Sequence, residues 1–317
     1  MRSYLPEAAL SNPIPLTLIS PGPEDATSSG SSCKICGEAS VEIGSKTGKW
    51  RKQTFHLRRC SRCRYSFISD PLSNLAEVYS PEYYRGTGAD PLLDYVFELE
   101  HPAETVRQYE WRGILRAVNS LFPLSPDTTW LDYGCGNGGL VRYCRERCHI
   151  AGFEAAGWIR DQSRDHGITV LGEQDLVPLA GSFDIVSAIE VLEHVPEPLE
   201  ILSAIRRLLK PGGLFFYTTG NAQPHNDDLV NWPYVLPETH VSFFEPDTLV
   251  RALSDTGFRP EFRGYLPGHT DIIRFKVLKN LRLLRQAAWH VAVPWEIVAR
   301  MIDRRLKISG HPIAWAV

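Results

Sequence analysis

The stretch WLDYGCGNGG, residues 130–139, decides the fold of this 317-residue chain. A short apolar run leads into a glycine-rich turn, and a helical pattern begins directly after it. Glycine accepts positive φ and lets a ligand approach the backbone, so the turn predicts a ligand-binding floor at the carboxyl end of a strand. The spacing is Gly-x-Gly-x-Gly, which differs from the Gly-x-Gly-x-x-Gly of dinucleotide sites.

Short apolar runs alternate with helical stretches on the carboxyl side of this turn. This alternation predicts a mainly parallel sheet with helices on both faces, an α/β fold. The predicted strands are 129–133, 149–153, 183–189 and 214–218, and the predicted helices are 139–147, 157–166, 197–209 and 246–257.

Two acids flank the turn in the positions that a nucleoside-binding site requires. Asp132 ends the first strand, where a carboxylate can hold a cationic group or a backbone amide. Glu154 ends the second strand, 22 residues later, where a carboxylate can accept both hydroxyls of a ribose. The order strand, turn, helix, strand, acid therefore predicts a cofactor site.

Five segments in order carry a resemblance to a known family: LDYGCGNGG, GFE, SFDIVSAIEVLEHVPEP, LLKPGGLFFYTT and HVSFFEPDTLVRALSDTGF. Together they resemble the class I S-adenosylmethionine-dependent methyltransferases. The resemblance implies a Rossmann-like sheet, mostly parallel and seven-stranded with one antiparallel strand, and S-adenosylmethionine as cofactor. It also implies the residues that hold the cofactor: Asp132, Gly134, Gly136 and Gly138 for the methionine part, Glu154 for the ribose, Gln174 and Asp175 beside the adenine, and Glu190 in the same site.

A Glu-x-x-Glu-His element, formed by Glu190, Glu193 and His194, follows the predicted third core strand, and His240 lies farther along the chain. The set is similar to one in metal-dependent 2′-O-methyltransferases of small-RNA ends and in O-methyltransferases of ubiquinone biosynthesis. Three interpretations stay open: the four residues bind a second divalent metal, His194 or His240 acts as catalytic base, or the side chains only pack.

The cysteines predict a second, structural metal site. Four of the seven form two Cys-x-x-Cys pairs, Cys33 with Cys36 and Cys60 with Cys63, separated by 23 residues. Four thiolates suit a closed tetrahedral Zn²⁺ site. The arrangement resembles bacterial small-molecule methyltransferases, in which a tyrosine segment follows. That resemblance leaves open whether Tyr83 and Tyr84 close over the ligands or only pack.

The net charge of −3 hides an uneven distribution. Residues 33–64 and residues 272–307 each carry +7, and the remainder carries −17. The acidic remainder excludes a uniformly basic nucleic-acid binder, so we expect no nucleic-acid partner. If the two basic blocks meet beside the acceptor pocket, an anionic acceptor is favoured.

These features predict five segments. They are a tail (1–30), a cysteine module (31–71), a tyrosine segment with a helical linker (72–122), a methyltransferase core (123–271 with 308–317) and a helical lid (272–307). No stretch resembles a signal peptide or a membrane span, so we expect a reducing cytoplasm.

The predicted function is methyl transfer from S-adenosylmethionine to a small specialised or cell-surface metabolite, with oxygen as the favoured acceptor atom. Two alternatives are retained. One is an RNA-modifying methyltransferase whose basic segments bind phosphates, and the other is a catalytically inactive scaffold that binds the cofactor.

Overall fold

A small antiparallel sheet begins the part of the chain that the computed structural model describes, residues 32–89, 91 and 93–317. Strands β1 (Ser40–Thr47), β2 (Thr54–Cys60) and β3 (Ser66–Ile68) pair in chain order, with a bulge in β1 at residues 42–44. Side chains along β2 alternate between buried and exposed at its start, so one face of the sheet is apolar. The predicted tail, 1–30, lies outside the described residues.

Four helices connect this sheet to the core. They are α1 (Leu75–Val78), α2 (Pro81–Tyr84), α3 (Tyr95–Glu100) and α4 (Arg107–Leu121). The helical linker predicted within 72–122 thus contains two longer helices, α3 and α4, with Pro102 between them. Helix α4 buries Trp111, Ile114 and Val118 at helical spacing.

The central sheet has seven strands. In chain order the remaining strands are β4 (Thr129–Tyr133), β5 (His149–Phe153), β6 (Val170–Leu171), β7 (Phe183–Ile189), β8 (Leu209–Thr218), β9 (Ser242–Phe243), β10 (Phe258–Glu261) and β11 (Ile313–Ala316). All of these except β9 form the sheet, in the order β10-β11-β8-β7-β4-β5-β6. Strand β11 is antiparallel to both neighbours, and β4 to β8 are mutually parallel. The predicted Rossmann-like sheet with one antiparallel strand is confirmed.

Helices cover the central sheet between its strands. They are α5 (Gly139–Cys144), α6 (Gly157–Asp165), α7 (Glu173–Leu176), α8 (Pro198–Leu208), α9 (Pro246–Asp255), α10 (His269–Asn280) and α11 (Trp295–Leu306). The predicted lid segment therefore contains two helices, and Pro294 immediately precedes the second. Among the described helices, none is both long and apolar enough to cross a membrane.

Strand β9 joins the two sheets. It follows β8 in the chain but pairs with β3, through Ser66 opposite Phe243 and Phe67 opposite Ser242. The cysteine module is thus continued by a strand from the predicted methyltransferase core. The two segments share a sheet, although the sequence predicts a module that ends at residue 71 and a core that begins at residue 123.

Candidate active site

A cavity of about 1090 Å³ lies where β4, β5, β7 and β8 end. Open parallel sheets bind ligands at this edge, because the loops that follow the strands converge there. Seven of the predicted site residues line the cavity: Asp132, Gly134, Gly136, Glu154, Glu190, His194 and His240.

The glycine turn is fixed to the end of β5. Gly134 and Gly136 have φ of 73° and 56°, which glycine adopts without strain. The backbone N–H of Gly134 donates to the carbonyl of Phe153 over 2.8 Å, and the N–H of Gly136 donates to the Glu154 carboxylate over 2.9 Å. A Cβ on Gly134 would lie 2.7 Å from the Val191 side chain, so close packing also requires glycine here.

Asp132 is a buried acid at the end of β4. The Ser187 hydroxyl donates to Asp132 over 2.7 Å, and the Trp130 indole donates to Ser187 over 2.8 Å. Burial raises the pKa of Asp132 to about 7. A cationic ligand group in the cavity would reverse that shift.

Glu154 ends β5 with both carboxylate oxygens in hydrogen bonds. They accept from the backbone N–H groups of Gly136 and Ala156, each over 2.9 Å. Burial nevertheless raises the pKa of Glu154 above its usual value. Each oxygen keeps a second lone pair, so the carboxylate is oriented to accept further hydroxyl donors from the cavity. Trp158 lines the cavity beside it.

Three predicted cofactor residues lie away from the cavity lining. Gly138 precedes α5 with φ of 70°, and a Cβ there would lie 2.8 Å from Ile168, so its role is in the turn itself. Asp175 accepts from the backbone N–H of Gly172 at the start of α7, and Gln174 is exposed. The structure therefore does not bring Gln174 and Asp175 to an adenine position in this cavity.

A buried ion cluster on α3 and α4 was missed by sequence reasoning. Arg107 donates to Glu110 over 2.6 Å and to Glu98 over 3.3 Å, and Asn137 of the glycine turn also donates to Glu98. Arg107 and Glu110 line the cavity, and Glu110 Oε1 is buried without a hydrogen-bond partner among the described residues. The available signal was two charged residues on the buried face of a helix, where charges need partners.

The pKa values of Glu190 and Glu193 are shifted in opposite directions. Glu190 accepts from Lys276 Nζ over 2.7 Å and from the Thr218 hydroxyl over 2.8 Å. Burial alone would raise the pKa of Glu190, but the ammonium groups of Lys276 and Lys279 outweigh it and the pKa lies below its usual range. Burial and the charge of Glu190 both raise the pKa of Glu193.

His194 and His240 each direct Nδ1 at a backbone carbonyl. Nδ1 of His240 lies 2.7 Å from the Tyr234 carbonyl, and Nδ1 of His194 lies 3.0 Å from the Thr239 carbonyl. A carbonyl only accepts, so Nδ1 carries the proton in each neutral ring. The Tyr79 hydroxyl also lies 3.0 Å from Nδ1 of His194. Burial, with His194 close by, lowers the pKa of His240 to about 3.

The Glu193 carboxylate lies close to the imidazoles of His194 and His240. Ligand atoms of Glu193, His194 and His240 all lie within 4.8 Å of one another, a spacing that suits one metal ion. Glu190 lies outside this group and forms its ion pair with Lys276 instead. The structure thus brings together three of the four residues predicted as divalent-metal ligands.

Aromatic rings line the cavity at two places. Trp232 stacks on His225 at 4.5 Å and on Tyr234 at 4.7 Å, and Tyr234 contacts the His240 ring at 4.3 Å. In the tyrosine segment, Tyr83 and Tyr84 are buried and also line the cavity. The predicted segment therefore contributes to the site wall.

The two basic blocks do not meet at the cavity. Among its described lining residues, Lys276 and Lys279 come from the second block and none comes from the first. First-block cations pair with acids of the core instead, as Arg59 and Arg64 do with Glu245 and Lys34 does with Glu197. The condition that favoured an anionic acceptor is therefore not met.

The four predicted zinc ligands form a separate cluster. All four sulfur atoms lie within 4.8 Å of one another, and the Sγ pairs Cys33–Cys63 and Cys36–Cys60 are each 3.4 Å apart. A tetrahedron of ~2.3 Å Zn–S bonds has similar edges, about 3.8 Å. Gly37 and Arg64, each directly after a Cys-x-x-Cys pair, both adopt positive φ, so the two turns match. The donor set fits Zn²⁺.

Comparisons with known proteins agree with this geometry. A family model described as methyltransferase domain matches residues 103–261. A ubiquinone biosynthesis O-methyltransferase of Sodalis glossinidius is 28% identical over 62% of this chain and 93% of its own length. One of the same name from Pectobacterium atrosepticum is 33% identical over 48% of this chain and 70% of its own length.

The solved structures are more remote. An S-adenosylmethionine dependent methyltransferase from Mesorhizobium loti aligns over 56% of this chain and 100% of its own chain. The sequence identity is 19% and the TM-score is 0.41, so no functional argument is drawn from this similarity. The family match covers the glycine turn, Glu154 and the Glu-x-x-Glu-His element. The chain belongs to the methyltransferase domain family and is a class I S-adenosylmethionine-dependent methyltransferase.

Proposed function

We propose that this enzyme transfers the methyl group of S-adenosylmethionine to a hydroxyl oxygen of a small molecule. The observation that carries the proposal is one continuous cavity, which joins the turn and Glu154 to the cluster Glu193, His194 and His240. The named activity of both relatives, O-methylation in ubiquinone biosynthesis, supports oxygen as the acceptor atom.

The described residues offer partners for the ribose and for the methionine part of the cofactor, which supplies an electrophilic methyl group on a sulfonium. Glu154 would accept the ribose hydroxyls, and the glycine turn with Asp132 would hold the methionine part. Arg107 would bind the methionine carboxylate, and the unpartnered Glu110 Oε1 would accept from its ammonium group. Catalysis then consists mainly of alignment of the acceptor oxygen with the methyl group.

The second half of the site would hold a divalent cation on Glu193, His194 and His240. Histidine ligands commonly donate their other ring N–H to a backbone carbonyl, as both do here. Such a cation lowers the pKa of a hydroxyl bound to it. The alternative is a metal-free site in which the neutral imidazole of His194 or His240 accepts the acceptor proton.

Metal content separates these two mechanisms. Wild type is expected to bind one more equivalent of metal than His240→Ala, while both keep the zinc of the cysteine cluster. His225→Ala is the matched control, because His225 lines the same cavity outside the three-residue group. Equal metal content in wild type and His240→Ala would exclude the metal mechanism and favour the metal-free site with a histidine base.

The acceptor side includes the stacked rings His225, Trp232 and Tyr234, which suit a flat or apolar acceptor.

We propose that the enzyme works in a reducing cytoplasm, because zinc binding requires the four cysteines as thiolates. Neither the RNA-modifying alternative nor the inactive scaffold is favoured by the relatives.

The test is a screen of metabolite extracts with S-adenosylmethionine labelled in its methyl group. We expect the label in a small molecule that is one methyl group heavier than its precursor, and not with the variant Glu154→Ala. Label confined to an RNA fraction, or absent although the protein binds S-adenosylhomocysteine, would overturn the proposal.

A further inference from the structure

The acceptor side of the cavity is formed largely by residues 222–243, which we name the acceptor wall. This segment follows β8, ends with β9 and contributes six residues to the cavity lining: His225, Trp232, Pro233, Tyr234, Leu236 and His240. Within it, a single two-residue strand, β9, is regular β-structure. A wall with so little regular structure needs support from its neighbours to hold its side chains in place.

The hairpin of the cysteine module supplies polar support. Glu238, which is 6% exposed, accepts the backbone N–H groups of Trp50 over 3.0 Å and Arg51 over 2.5 Å at the β1–β2 turn. On the same hairpin, Lys46 Nζ donates to the carbonyl of Trp232 over 3.1 Å. Hydrogen bonds that involve a charged partner are stronger than neutral ones, so these contacts fix two points of the wall.

Two glycines in the module allow this close approach. A Cβ on Gly48 would lie 2.5 Å from the Glu238 carboxyl carbon, and a Cβ on Gly44 would lie 2.9 Å from the Val230 side chain. Any larger residue would push the wall outward or displace the hairpin. The shape of the hairpin therefore matches that of the wall at both points.

Apolar packing continues the same contact. Phe55 and Leu57, the buried residues of β2, form one hydrophobic cluster with Leu229, Val235 and Val241 of the wall. All five are at most 4% exposed. This packing makes one face of the cysteine module the outer layer behind the acceptor wall.

Backbone hydrogen bonds connect the cysteine module to Glu193 on the acceptor side of the cavity. The backbone N–H of Ile68 in β3 donates to the carbonyl of Val241, and the N–H of Val241 donates to the carbonyl of Glu193 over 2.7 Å. His240, which precedes Val241, has its ring nitrogen on the Tyr234 carbonyl. The module is thus two hydrogen bonds from Glu193, whereas Asp132 and Glu154 make their hydrogen bonds within the core.

From this arrangement we propose that the cysteine module positions the acceptor half of the active site, with Glu238 as the positioning residue. The module acts on the acceptor wall and leaves the cofactor half independent. The inference rests on the proposed function only in naming that wall as the acceptor side.

The experiment compares Glu238→Ala and Glu238→Gln with Glu42→Gln in the full-length chain. Glu42 is the control, because it is an exposed residue on the same hairpin whose carboxylate pairs with His56. Two quantities are measured for each variant. One is hydrogen exchange of peptides that cover 229–241 and 139–153, and the other is the affinity for S-adenosylhomocysteine. We expect amide protection in 229–241 to fall about tenfold in Glu238→Ala, with partial recovery in Glu238→Gln, because Glu238→Ala removes both charge-assisted hydrogen bonds of this buried carboxylate.

The control region and the affinity decide the outcome. Unchanged protection of 139–153 and S-adenosylhomocysteine affinity within about twofold of wild type support the proposal. Unchanged protection of 229–241, or equal loosening of both regions with loss of affinity, overturns it. With the acceptor identified in the labelled-extract screen, Glu238→Gln raises KM for that acceptor and leaves kcat near wild type. The exchange result needs no turnover, so it stands even if the proposed function fails.

Discussion

At the scale of single residues, the buried surroundings of Asp132 disfavour its ionised form unless a cationic ligand group lies beside it. Its pKa of about 7 means that the folded protein resists ionisation of a carboxylate that ionises near pH 4 when unfolded. The folded state therefore loses stability as the pH rises from about 4 to about 7, and the loss is complete above that range.

Asp132→Asn is expected to stabilise the ligand-free protein near neutral pH. Its amide cannot ionise, so the gain is small at about pH 5 and reaches about 1–3 kcal/mol at about pH 8. The same variant binds S-adenosylhomocysteine more weakly, because the anionic partner of the cofactor is gone. Denaturant unfolding at both pH values measures the first effect, and a variant less stable than wild type at the higher pH contradicts it.

Glu154→Gln is expected to weaken S-adenosylhomocysteine binding by about 10–100-fold. The substitution replaces an acceptor of two backbone N–H groups with a group that carries donors of its own. Calorimetric titration of the cofactor product measures the loss. Asp161→Asn, an exposed position on α6, is the control that keeps wild-type affinity. Equal affinities of Glu154→Gln and wild type would remove Glu154 from the ribose position.

Sequence reasoning located the residues that a local motif carries and missed those that only the fold brings together. Asp132 lies near the end of a strand and Glu154 directly follows one, so their place at the sheet edge was predictable. Arg107 and Glu110 come from a helix before the sheet, and no local pattern links them to the turn. Asp175 caps the start of α7, which follows a strand of only two residues and directs that side chain away from the cavity.

At the scale of elements, α10 reaches the cavity because it crosses α4 at two glycines. A Cβ on Gly113 would lie 2.7 Å from the carbonyl oxygen of Gly268 and 2.8 Å from the Ile272 side chain. Two helices can approach this closely only where side chains are absent. The crossing places Lys276 against Glu190.

Gly113→Ala is expected to cost about 1–3 kcal/mol of stability, because the added methyl group overpacks this crossing. It also shifts α10, so the Lys276–Glu190 contact weakens and cofactor affinity falls. Chemical denaturation compares the variant with Ser120→Ala, an exposed position on the same helix that stays near wild type. A stability of Gly113→Ala equal to that of Ser120→Ala would show that the helices separate without cost.

The cysteine cluster is expected to bind one equivalent of zinc that maintains the small sheet. Cys60→Ser removes a thiolate from a closed site, so bound zinc falls by one equivalent per chain and the midpoint of thermal unfolding falls. Cys148→Ala, outside the cluster, keeps the zinc. Elemental analysis of both variants is the measurement, and full zinc content in Cys60→Ser would exclude this ligand set.

At the scale of the whole molecule, the uneven charge along the sequence reflects ion pairs within the protein and not a binding surface for a charged partner. The basic block 33–64 neutralises acids that belong to the core, such as Glu197 and Glu245, and so attaches the cysteine module to it. The central sheet was predictable because its elements alternate in the chain. The shared sheet β1-β2-β3-β9 was not, because a two-residue strand has no periodicity and its partner lies far away in sequence.

The central claim is that one cavity brings an S-adenosylmethionine methyl group to a hydroxyl oxygen of a small molecule. The most direct measurement is ¹³C NMR of a reaction supplied with S-adenosylmethionine carrying a ¹³C-labelled methyl group and with the active metabolite fraction. We expect a new methoxy resonance in a small molecule, formed by wild type and absent with His194→Ala/His240→Ala. A new resonance in the N-methyl or C-methyl range, or one that the double variant forms equally well, would contradict it.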